Sequence, residues 1–303
     1  MPTLAQVRED PILTNISTQY GPTGHIADQV LPVVPVRLED GQYIEYDMSR
    51  FNTPEAKRNP RSRYREVDWT RTKASYHAEE YGLEARIDDR ERDNAAAPLD
   101  LDETTTEILT DNILNNRERR VANLVLSTSN VTQNTTLAGA AQWSDSGGGD
   151  PIGVAQTAAS TIQGGSGQIP TSVVMGYKVW NKLITNAAIK AELVEGEQLS
   201  VARLAALFGV QEIFIGTILT TTSKKGQPVT LGDVWGKDVL FFVRQPRPSI
   251  RRPSFGYQFQ VQALKTFRWR DVPVNCDVLR VNEIRAEKIV ASSLGYLVKN
   301  AIA

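Results

Sequence analysis

Residues 50–93 read RFNTPEAKRNPRSRYREVDWTRTKASYHAEEYGLEARIDDRERD and carry 21 charges in 44 positions, sorted by sign along the chain. Eight basic residues and three acids fall within 50–73, whereas seven acids and three arginines fall within 79–93. Aromatic and aliphatic residues, among them Tyr64 and Trp69, interrupt the charges, several of them at a spacing of two. This pattern predicts a long β-hairpin and argues against a disordered segment.

The sorted charges leave two interpretations of this segment open. It is either a solvated surface hairpin or an extended arm that lies across a neighbouring copy and meets complementary charge there. A uniformly basic arm would indicate nucleic acid, and the acidic half does not fit that use. On the second interpretation the contact residues are Arg58, Arg61, Arg63, Tyr64, Arg65, Trp69, Arg71, Glu79, Glu80, Asp88 and Asp89.

The composition is that of an ordinary globular protein. The chain has 303 residues, 41% of them hydrophobic, with a net charge of −1, so it is long enough for a sizeable core in one large or two smaller domains. Near-neutral charge argues against generic binding to DNA or to a membrane surface. The single Cys276 excludes an intrachain disulfide and is expected to be a buried thiol. Neither a secretory signal nor a membrane span is predicted.

Local signals predict several elements. Five prolines within residues 1–40 favour an extended, turn-broken N-terminal arm over helix. Asp100 as an N-cap opens a predicted helix over 101–126, which has an apolar face and a length of about 39 Å. The polar, glycine-rich segment 127–150 is expected to be a flexible loop or short ribbon, and a second helix is expected from Pro151 to Gln163.

The second half of the chain is predicted to alternate between strand and helix and then to be mainly strand. The predicted bounds are a strand over 171–176, helices over 177–186 and 200–208, a strand over 211–215, further strands over 239–244, 257–264 and 277–281, and a final strand pair over 287–298.

No pattern for catalysis, a cofactor or a metal ion is found. The two histidines, His25 and His77, lie in arm-like segments, and no histidine or cysteine cluster has the spacing of metal ligands. Adjacent acids such as Asp88 and Asp89 point to opposite faces of a strand, so they do not share a substrate. The glycine-rich runs lack the lysine and the serine or threonine that end a phosphate-binding loop. We therefore expect a protein that is not an enzyme.

The segment 244–270 is the best candidate for contact with nucleic acid. Its basic residues accompany aromatic ones, a composition that suits backbone contact and base stacking. The alternative is a proline-broken loop whose arginines pair with acids of a neighbouring subunit. The residues concerned are Arg244, Arg247, Arg251 and Arg252, followed by Lys265, Arg268 and Arg270 near Phe255, Tyr257 and Trp269.

Three stretches carry a resemblance to a known family. Residues 173–180 read VVMGYKVW, residues 207–210 read LFGV before an apolar strand, and residues 287–300 read EKIVASSLGYLVKN. In this order, with the proline-rich N-terminal arm, the charged extension and the long helix, the chain resembles the major capsid proteins of tailed bacteriophages. The order of elements covers nearly the whole chain.

The resemblance implies the α+β fold named after phage Hong Kong 97. It implies a division into an N-terminal arm (1–44), an extended E-loop (45–93), a P-domain spine helix and loop (94–150), an A-domain (151–240) and closing strands of both domains (241–303).

The resemblance also implies function. Such a protein assembles into hexamers and pentamers of an icosahedral head around double-stranded DNA. The partners would be other copies of the chain, a scaffold protein, a portal and decoration proteins, with no membrane involved. The location would be the virion, after assembly in the host bacterial cytoplasm. The alternatives are an encapsulin-like compartment shell and, less favoured, a nucleic-acid-binding protein that acts through 244–270.

Overall fold

The computed structural model describes residues 8–19, 24–44, 56–58, 60–61, 63–64, 73–94, 100–145, 149–193, 198–224, 226–247 and 253–303. The strands are β1 (Arg8–Glu9), β2 (Val33–Pro35), β3 (Asp40–Ile44), β4 (Lys73–His77), β5 (Glu79–Asp88), β6 (Asn134–Thr136), β7 (Ser172–Gly176), β8 (Glu212–Gly216), β9 (Leu219–Thr221), β10 (Leu231–Asp233), β11 (Val239–Phe242), β12 (Gly256–Asp271), β13 (Cys276–Ile289) and β14 (Gly295–Lys299). The helices are α1 (Pro11–Gln19), α2 (Ala27–Val30), α3 (Asp89–Asn94), α4 (Leu101–Val125), α5 (Pro151–Ser166), α6 (Tyr177–Thr185), α7 (Ala187–Ala191) and α8 (Val201–Phe208).

Two five-stranded sheets form the body of the described chain. The first, here called the long-strand sheet, has the order β1-β12-β13-β5, and β2 also pairs with β12. The second, the short-strand sheet, has the order β6-β14-β11-β7-β8. Two smaller sheets, β3-β4 and β9-β10, are antiparallel pairs.

Helix α4 lies on one face of the long-strand sheet and starts where its sequence predicts. The Asp100 side chain accepts hydrogen bonds from the backbone N–H groups of Asp102 and Glu103 at 3.0 and 3.3 Å, which satisfies two donors of the first turn. Leu109 and Ile113 of α4 are buried in a cluster with Leu279 and Val281 of β13. Ile108 of the same helix is 56% exposed.

The short-strand sheet lies in the main core. Its central strands are buried completely, as at Val174 and Phe241, because helices α5, α6 and α8 supply apolar side chains to the same cluster. Strands β7 and β8 are parallel neighbours in this sheet, and the chain between them forms helices α6, α7 and α8. This is the predicted alternation of strand and helix. Ser200 caps α8 and Gly209 ends it in the left-handed conformation.

The charged segment does not fold as one hairpin, which corrects the prediction for 50–93. Strand β4 pairs with β3, which precedes the charged segment, and β5 pairs with β13. The acidic half is therefore a strand of the body. Alternate side chains of β5, Leu83, Ala85 and Ile87, pack into the same cluster as α4.

Four other predictions require correction. Residues 11–19 form helix α1 where an extended arm was expected, because Pro11 takes the first helical position and Asp10 accepts hydrogen bonds from Ile12 and Leu13. The segment 127–145 is packed, with Val131 and Trp143 buried. Helix α5 continues through the glycines to Ser166. The last two strands belong to different sheets, because β13 pairs with β12 and β5 whereas β14 pairs with β11 and β6.

Candidate assembly surfaces

Residues 45–72, here called the arm, connect β3 to β4, and these two strands form the arm base. The Tyr76 ring stacks on Phe259 at 4.4 Å between centroids and 13° between planes, and Tyr43 stacks on the same ring at 5.6 Å. Phe259 of β12 pairs with Ala286 of β13. The side chains of Ala286 and Leu279 lie on opposite faces of β13, and Leu279 is on the face that packs against α4. The arm base therefore covers the face of the long-strand sheet that α4 leaves free.

Gly41 allows the base to close. A Cβ atom at this position would lie 2.4 Å from Tyr76 Oη, so only glycine fits beneath the ring. The Tyr76 hydroxyl donates to the carbonyl of Leu38 at 3.3 Å. At the exposed edge His77 Nδ1 lies 2.6 Å from Asp40 Oδ1, and the hydrogen bond with Asp40 raises the pKa of His77.

The described residues of the basic half of the arm project into solvent. Arg58, Arg61 and Arg63 are exposed and Tyr64 is 78% exposed. The Arg58 guanidinium lies 4.6 Å from the Tyr64 ring centroid, and its Nη1 donates to Tyr64 Oη at 3.2 Å. The remaining predicted contact residues of this half, Arg65, Trp69 and Arg71, lie outside the described residues.

The predicted acidic contact residues lie on β5 and at the start of α3 and bond within their own chain. Glu79 accepts from the Tyr81 hydroxyl at 2.8 Å, and Glu80 accepts from the Asn282 amide. Asp88 accepts from the backbone N–H of Arg90 at 2.8 Å. Asp89 forms an ion pair with Arg270, which lowers the pKa of Asp89. All four also keep surface accessible, which leaves them able to meet a second chain.

The aromatic residues of the expected patch over 244–270 are not exposed. Phe255, Tyr257 and Trp269 are buried, so they offer no face for base stacking. Arg244 pairs with Glu212 of its own chain at 3.1 Å. Arg247 is exposed, whereas Arg251 and Arg252 lie outside the described residues.

The other basic residues of that segment are also paired within the chain. Lys265 lies 2.8 Å from Glu9. Arg268 pairs at 3.0 Å with both Asp102 and Asp277, and Arg270 pairs with Asp277 at 3.4 Å. The positive charges of Lys265, Arg268 and Arg270 are therefore paired with acids of their own chain.

Sequence reasoning missed a buried ion cluster between α4 and β13. The Arg117 guanidinium bonds both oxygens of Glu283, a residue with no solvent exposure, and also reaches Asp28 at 3.0 Å. Arg285 lies 3.2 Å from Asp28, and its Nε lies 3.0 Å from Glu283 Oε2 but off the line that a hydrogen bond requires. Arg120 completes the cluster, 3.5 Å from Glu283.

The pKa values of the two buried arginines of this cluster, Arg117 and Arg285, are shifted in opposite directions. Burial opposes the charge on Arg117, but Glu283 and Asp28 outweigh it and hold its pKa above the usual value. Burial and the neighbouring charge of Arg117 lower the pKa of Arg285. We attribute the difference to Glu283, which engages Arg117 through both oxygens and leaves Arg285 with weaker compensation.

A second missed group is Glu118, the neighbour of Arg117 on α4. It is completely buried and accepts from Trp235 Nε1 at 2.7 Å. It also accepts from the backbone N–H groups of Ile26 and Ala27 at 3.1 and 2.9 Å.

A sequence signal for the burial of Arg117 did exist. Arg117 lies in a series of α4 residues spaced by four, and the other members, Leu109, Ile113, Val121 and Val125, are all buried.

Among the residues that the structure describes, no group of histidine, cysteine, aspartate and glutamate could hold a metal ion. Cys276 is buried, and its thiol lies 3.3 Å from the Val274 carbonyl; burial raises the pKa of this thiol. In the described part of the chain no helix has the length and apolar character to cross a membrane.

A body of two sheets, with a long helix on one face of the long-strand sheet and the arm base on its other face, is the architecture of the Hong Kong 97-like capsid fold. A family model described as phage major capsid protein E matches residues 129–224. The major capsid protein of Pseudomonas phage JBD67 is 28% identical and that of Burkholderia phage BcepMu 24% identical, with 97% and 95% of both chains covered. A phage-related protein of Bordetella bronchiseptica RB50 has a similar structure, with a TM-score of 0.75, 24% identity and 97% coverage of both chains.

The chain is similar to phage major capsid proteins over nearly its whole length, and the capsid of the virion is the location that this similarity implies. The similarity over nearly the whole length of the chain confirms the resemblance and the fold expected from the sequence. The compartment-shell and nucleic-acid-binding alternatives are not favoured.

Proposed function

We propose that this chain forms the hexamers and pentamers of an icosahedral phage head that encloses double-stranded DNA without sequence specificity. The observation that carries the proposal is the arm base. Strands β3 and β4 are fixed on the long-strand sheet by the stacking on Phe259, and the exposed, positively charged residues at 56–64 lie beyond them.

We further propose that the arm crosses a neighbouring copy and fastens the two subunits together. We assign this contact to 45–72 within the expected E-loop (45–93), because β4 and β5 are paired with strands of their own chain. The other proposed divisions are the N-terminal arm (1–44), the spine helix and the segment after it (94–150), the A-domain (151–240) and the closing strands (241–303).

Charge and apolar area have different roles in this contact. A single exposed ion pair contributes only about 0 to 1 kcal/mol, so Arg58, Arg61 and Arg63 chiefly set register and partner choice. Binding strength comes from apolar burial at about 25 cal/mol per Å². Tyr64, with most of its ring in solvent, and Trp69 are the proposed anchors because aromatic residues concentrate interface energy.

The remaining expectations from the family stay part of this proposal. The chain has a structural and no enzymatic role, it is assembled in the host bacterial cytoplasm, and its partners include a scaffold protein, a portal and decoration proteins. What supports the structural role is that Arg117 and Arg268 of the described body pair with acids of their own chain, Arg117 with Glu283 and Arg268 with Asp102 and Asp277.

Electron microscopy of the purified protein tests the proposed function. We expect uniform closed shells, with hexamers and pentamers resolved by averaging. Discrete dimers at all protein concentrations and salt conditions would contradict it. Analysis of the contents of shells purified from phage-infected cells separates a DNA-filled head from a compartment that holds protein.

A further inference from the structure

Strand β5 forms one edge of the long-strand sheet. Its ten residues, Glu79–Asp88, pair with β13 on one side, and among the described strands none pairs with it on the other. A strand directs its backbone N–H and C=O groups alternately to its two sides, so about half of those of β5 point outward from the sheet. A long edge of this kind is a template on which a second extended chain can pair.

On the face away from α4 the side chains along this edge are exposed and mainly acidic. Leu83, Ala85 and Ile87 pack with α4, so the alternate residues of β5 point to the other side. Three acids and one arginine make this row of alternate residues negative. Its members, all exposed, are Glu80, Gly82, Glu84, Arg86 and Asp88.

Part of the negative charge of this row is not matched within the chain. Glu84 pairs with Arg280, but Glu80 and Asp88 form no ion pair with any residue that the structure describes. Like charges opposite each other destabilise strand pairing, so the row disfavours contact with β5 of another copy. The same charges favour a basic strand.

The sequence of the arm contains a stretch of matching length and opposite charge. Residues 62–71 read SRYREVDWTR, ten positions without proline or glycine. In an extended chain the two acids of this stretch, Glu66 and Asp68, lie on one face. The other face is basic and apolar, and consists of Arg63, Arg65, Val67, Trp69 and Arg71.

The connectivity of the chain keeps this stretch away from its own β5. Only Thr72 separates it from β4, which pairs with β3, and only Ala78 separates β4 from β5. The shortest common hairpin connection has about two residues, so no turn is left that would bring 62–71 back onto β5 of the same chain. Strand β5 of a neighbouring copy is under no such restriction.

We propose that residues 62–71 of one copy pair with the outer edge of β5 in a neighbouring copy and extend its long-strand sheet by one strand. Backbone hydrogen bonds supply the affinity of such a contact, and the side chains beside them supply the specificity. The basic face of the arm lies along the row that contains Glu80 and Asp88. This inference rests on the proposed function, since it assigns the surface that receives the arm.

Hydrogen exchange followed by mass spectrometry on peptides of β5 tests the pairing in the full chain. In the unassembled subunit about half of the ten β5 amides should exchange rapidly, and in the shell nearly all should be protected. Peptides of β13, which has a partner on both sides in the subunit, are the internal control. Closed shells in which β5 exchanges as in the subunit would overturn the pairing alone. A protein that forms no shells contradicts the proposed function and the pairing with it.

Zero-length crosslinking identifies which acids the arm contacts. Arg63→Lys with Arg65→Lys keeps the charge and supplies amines, which a carbodiimide joins only to carboxylates in contact with them. In shells mixed from isotope-labelled and unlabelled subunits, these amines should be joined to Glu80, Glu84 or Asp88 of a differently labelled chain. Crosslinks confined to other acids, or to acids of the same chain, would refute the pairing.

An exchange of charge between the two partners separates this pairing from general attraction. Glu80→Lys with Asp88→Lys should prevent shell assembly, and the further changes Arg63→Glu and Arg65→Glu should restore it, because the two faces are then again opposite in sign. Sedimentation measures assembly and circular dichroism the fold. If the four changes together assemble no better than the first two in folded subunits, the arm does not lie along this edge. The exchange of the wild-type β5 amides carries the test if the variants do not fold.

Discussion

Arg117 occupies a position on α4 that apolar spacing assigns to a hydrocarbon side chain. It lies four residues after Ile113 and four before Val121, both buried, and its charge is tolerated because Glu283 and Asp28 accept its donors. Buried ion pairs of this kind are weak evidence for stability, since desolvation offsets much of the attraction. Their effect is asymmetric, because removal of one partner leaves the other charge buried and unpaired.

We therefore expect Glu283→Gln to destabilise the unassembled subunit by about 3 to 5 kcal/mol. The matched control is Glu84→Gln on the neighbouring strand, where the pair with Arg280 is exposed and the expected loss is at most about 1 kcal/mol. Equilibrium unfolding in urea measures both variants. Equal losses of unfolding free energy in the two variants would show that burial of the ion cluster does not increase the effect of removing one partner.

In helix α5 a local sequence signal, the run of glycines after Gln163, gives the wrong end of the helix. Its start at Asp150-Pro151 was predicted, whereas the run of glycines that was expected to end it is helical through Ser166. Ser166 is fully buried and Ile162 belongs to the main core, so tertiary packing outweighs the poor helix propensity of Gly164 and Gly165.

Gly164→Ala should therefore stabilise the subunit by about 0.5 to 1 kcal/mol, because alanine is the better helix former. A Cβ atom at this position meets no other atom within 4 Å, so packing does not oppose the gain. Thermal unfolding measures the change. The contrasting variant is Gly41→Ala, which should lower stability because its Cβ would overlap with Tyr76. No gain at Gly164 would place the end of the helix before it.

The start of α4 is held to β12 and β13 by a cluster of exposed and half-buried ion pairs. Arg92 and Arg268 each bridge Asp102 of the helix to Asp277 of β13, at distances between 2.8 and 3.1 Å. Burial would raise the pKa of Asp277, but Arg268, Arg270 and Arg92 outweigh it and hold the pKa below the usual value. The stability that this carboxylate contributes is present above pH 3.8 and is lost as pH falls through its lowered pKa.

Asp277→Asn should flatten the loss of stability in acid. Measured by urea midpoints from pH 5 downward, the wild type should weaken below pH 3.8 more steeply than the variant. High salt should reduce the difference between the two proteins, because the cluster is partly exposed. If the urea midpoint of the variant falls in acid as steeply as that of the wild type, Asp277 does not cause the loss of stability.

The elements that could be predicted are those whose signals are local. Asp100 was predicted to cap α4 through bonds within a few residues, and the structure confirms it. The helix predicted over 200–208 is also found, with Ser200 as its N-cap and Gly209 at its end. Strand β5 was placed in the arm because its partner, β13, lies about 190 residues further along the chain and its charges obscured the alternation of Leu83 and Ile87. Pairing at that distance leaves no trace in local propensity.

For the candidate contact surface, too, some features could be predicted from the sequence and others could not. The exposure of Arg61 and Arg63 follows from their charge alone, whereas the aromatic residues expected near Arg244 are core residues of β12 and its approach. Aromatic residues suit a core and an interface equally well, so composition does not distinguish these uses.

At the scale of the whole molecule, the long-strand sheet carries α4 on one face and the arm base on the other. Reversal of charge at Arg61, Arg63 and Arg65 together should prevent shell assembly and leave the subunit folded, because the arm would meet its neighbour with the wrong sign. The triple lysine variant keeps the charge and should assemble. Circular dichroism and electron microscopy read out fold and assembly, and normal shells from the reversed variant would exclude electrostatic register.

Trp69→Ala is expected to block assembly by loss of apolar contact area, again with the subunit folded. Trp69→Phe retains much of this area and should assemble at least in part. Sedimentation of the three proteins at equal concentration compares them. Assembly of the alanine variant at the wild-type level would show that the anchor lies elsewhere on the arm.

The topology of the long-strand sheet also sets the order in which a nascent chain can fold. Strands β1 and β2 pair with β12, and the ring on which Tyr76 stacks is Phe259, so these two strands and the arm base gain their partners in the long-strand sheet only when the last fifty residues are made. At about 5 to 20 residues per second, translation delays this closure by about 10 to 40 s after the arm has left the ribosome. The platform that orients the arm is thus completed last, and a chain released early presents no fixed arm to its neighbours.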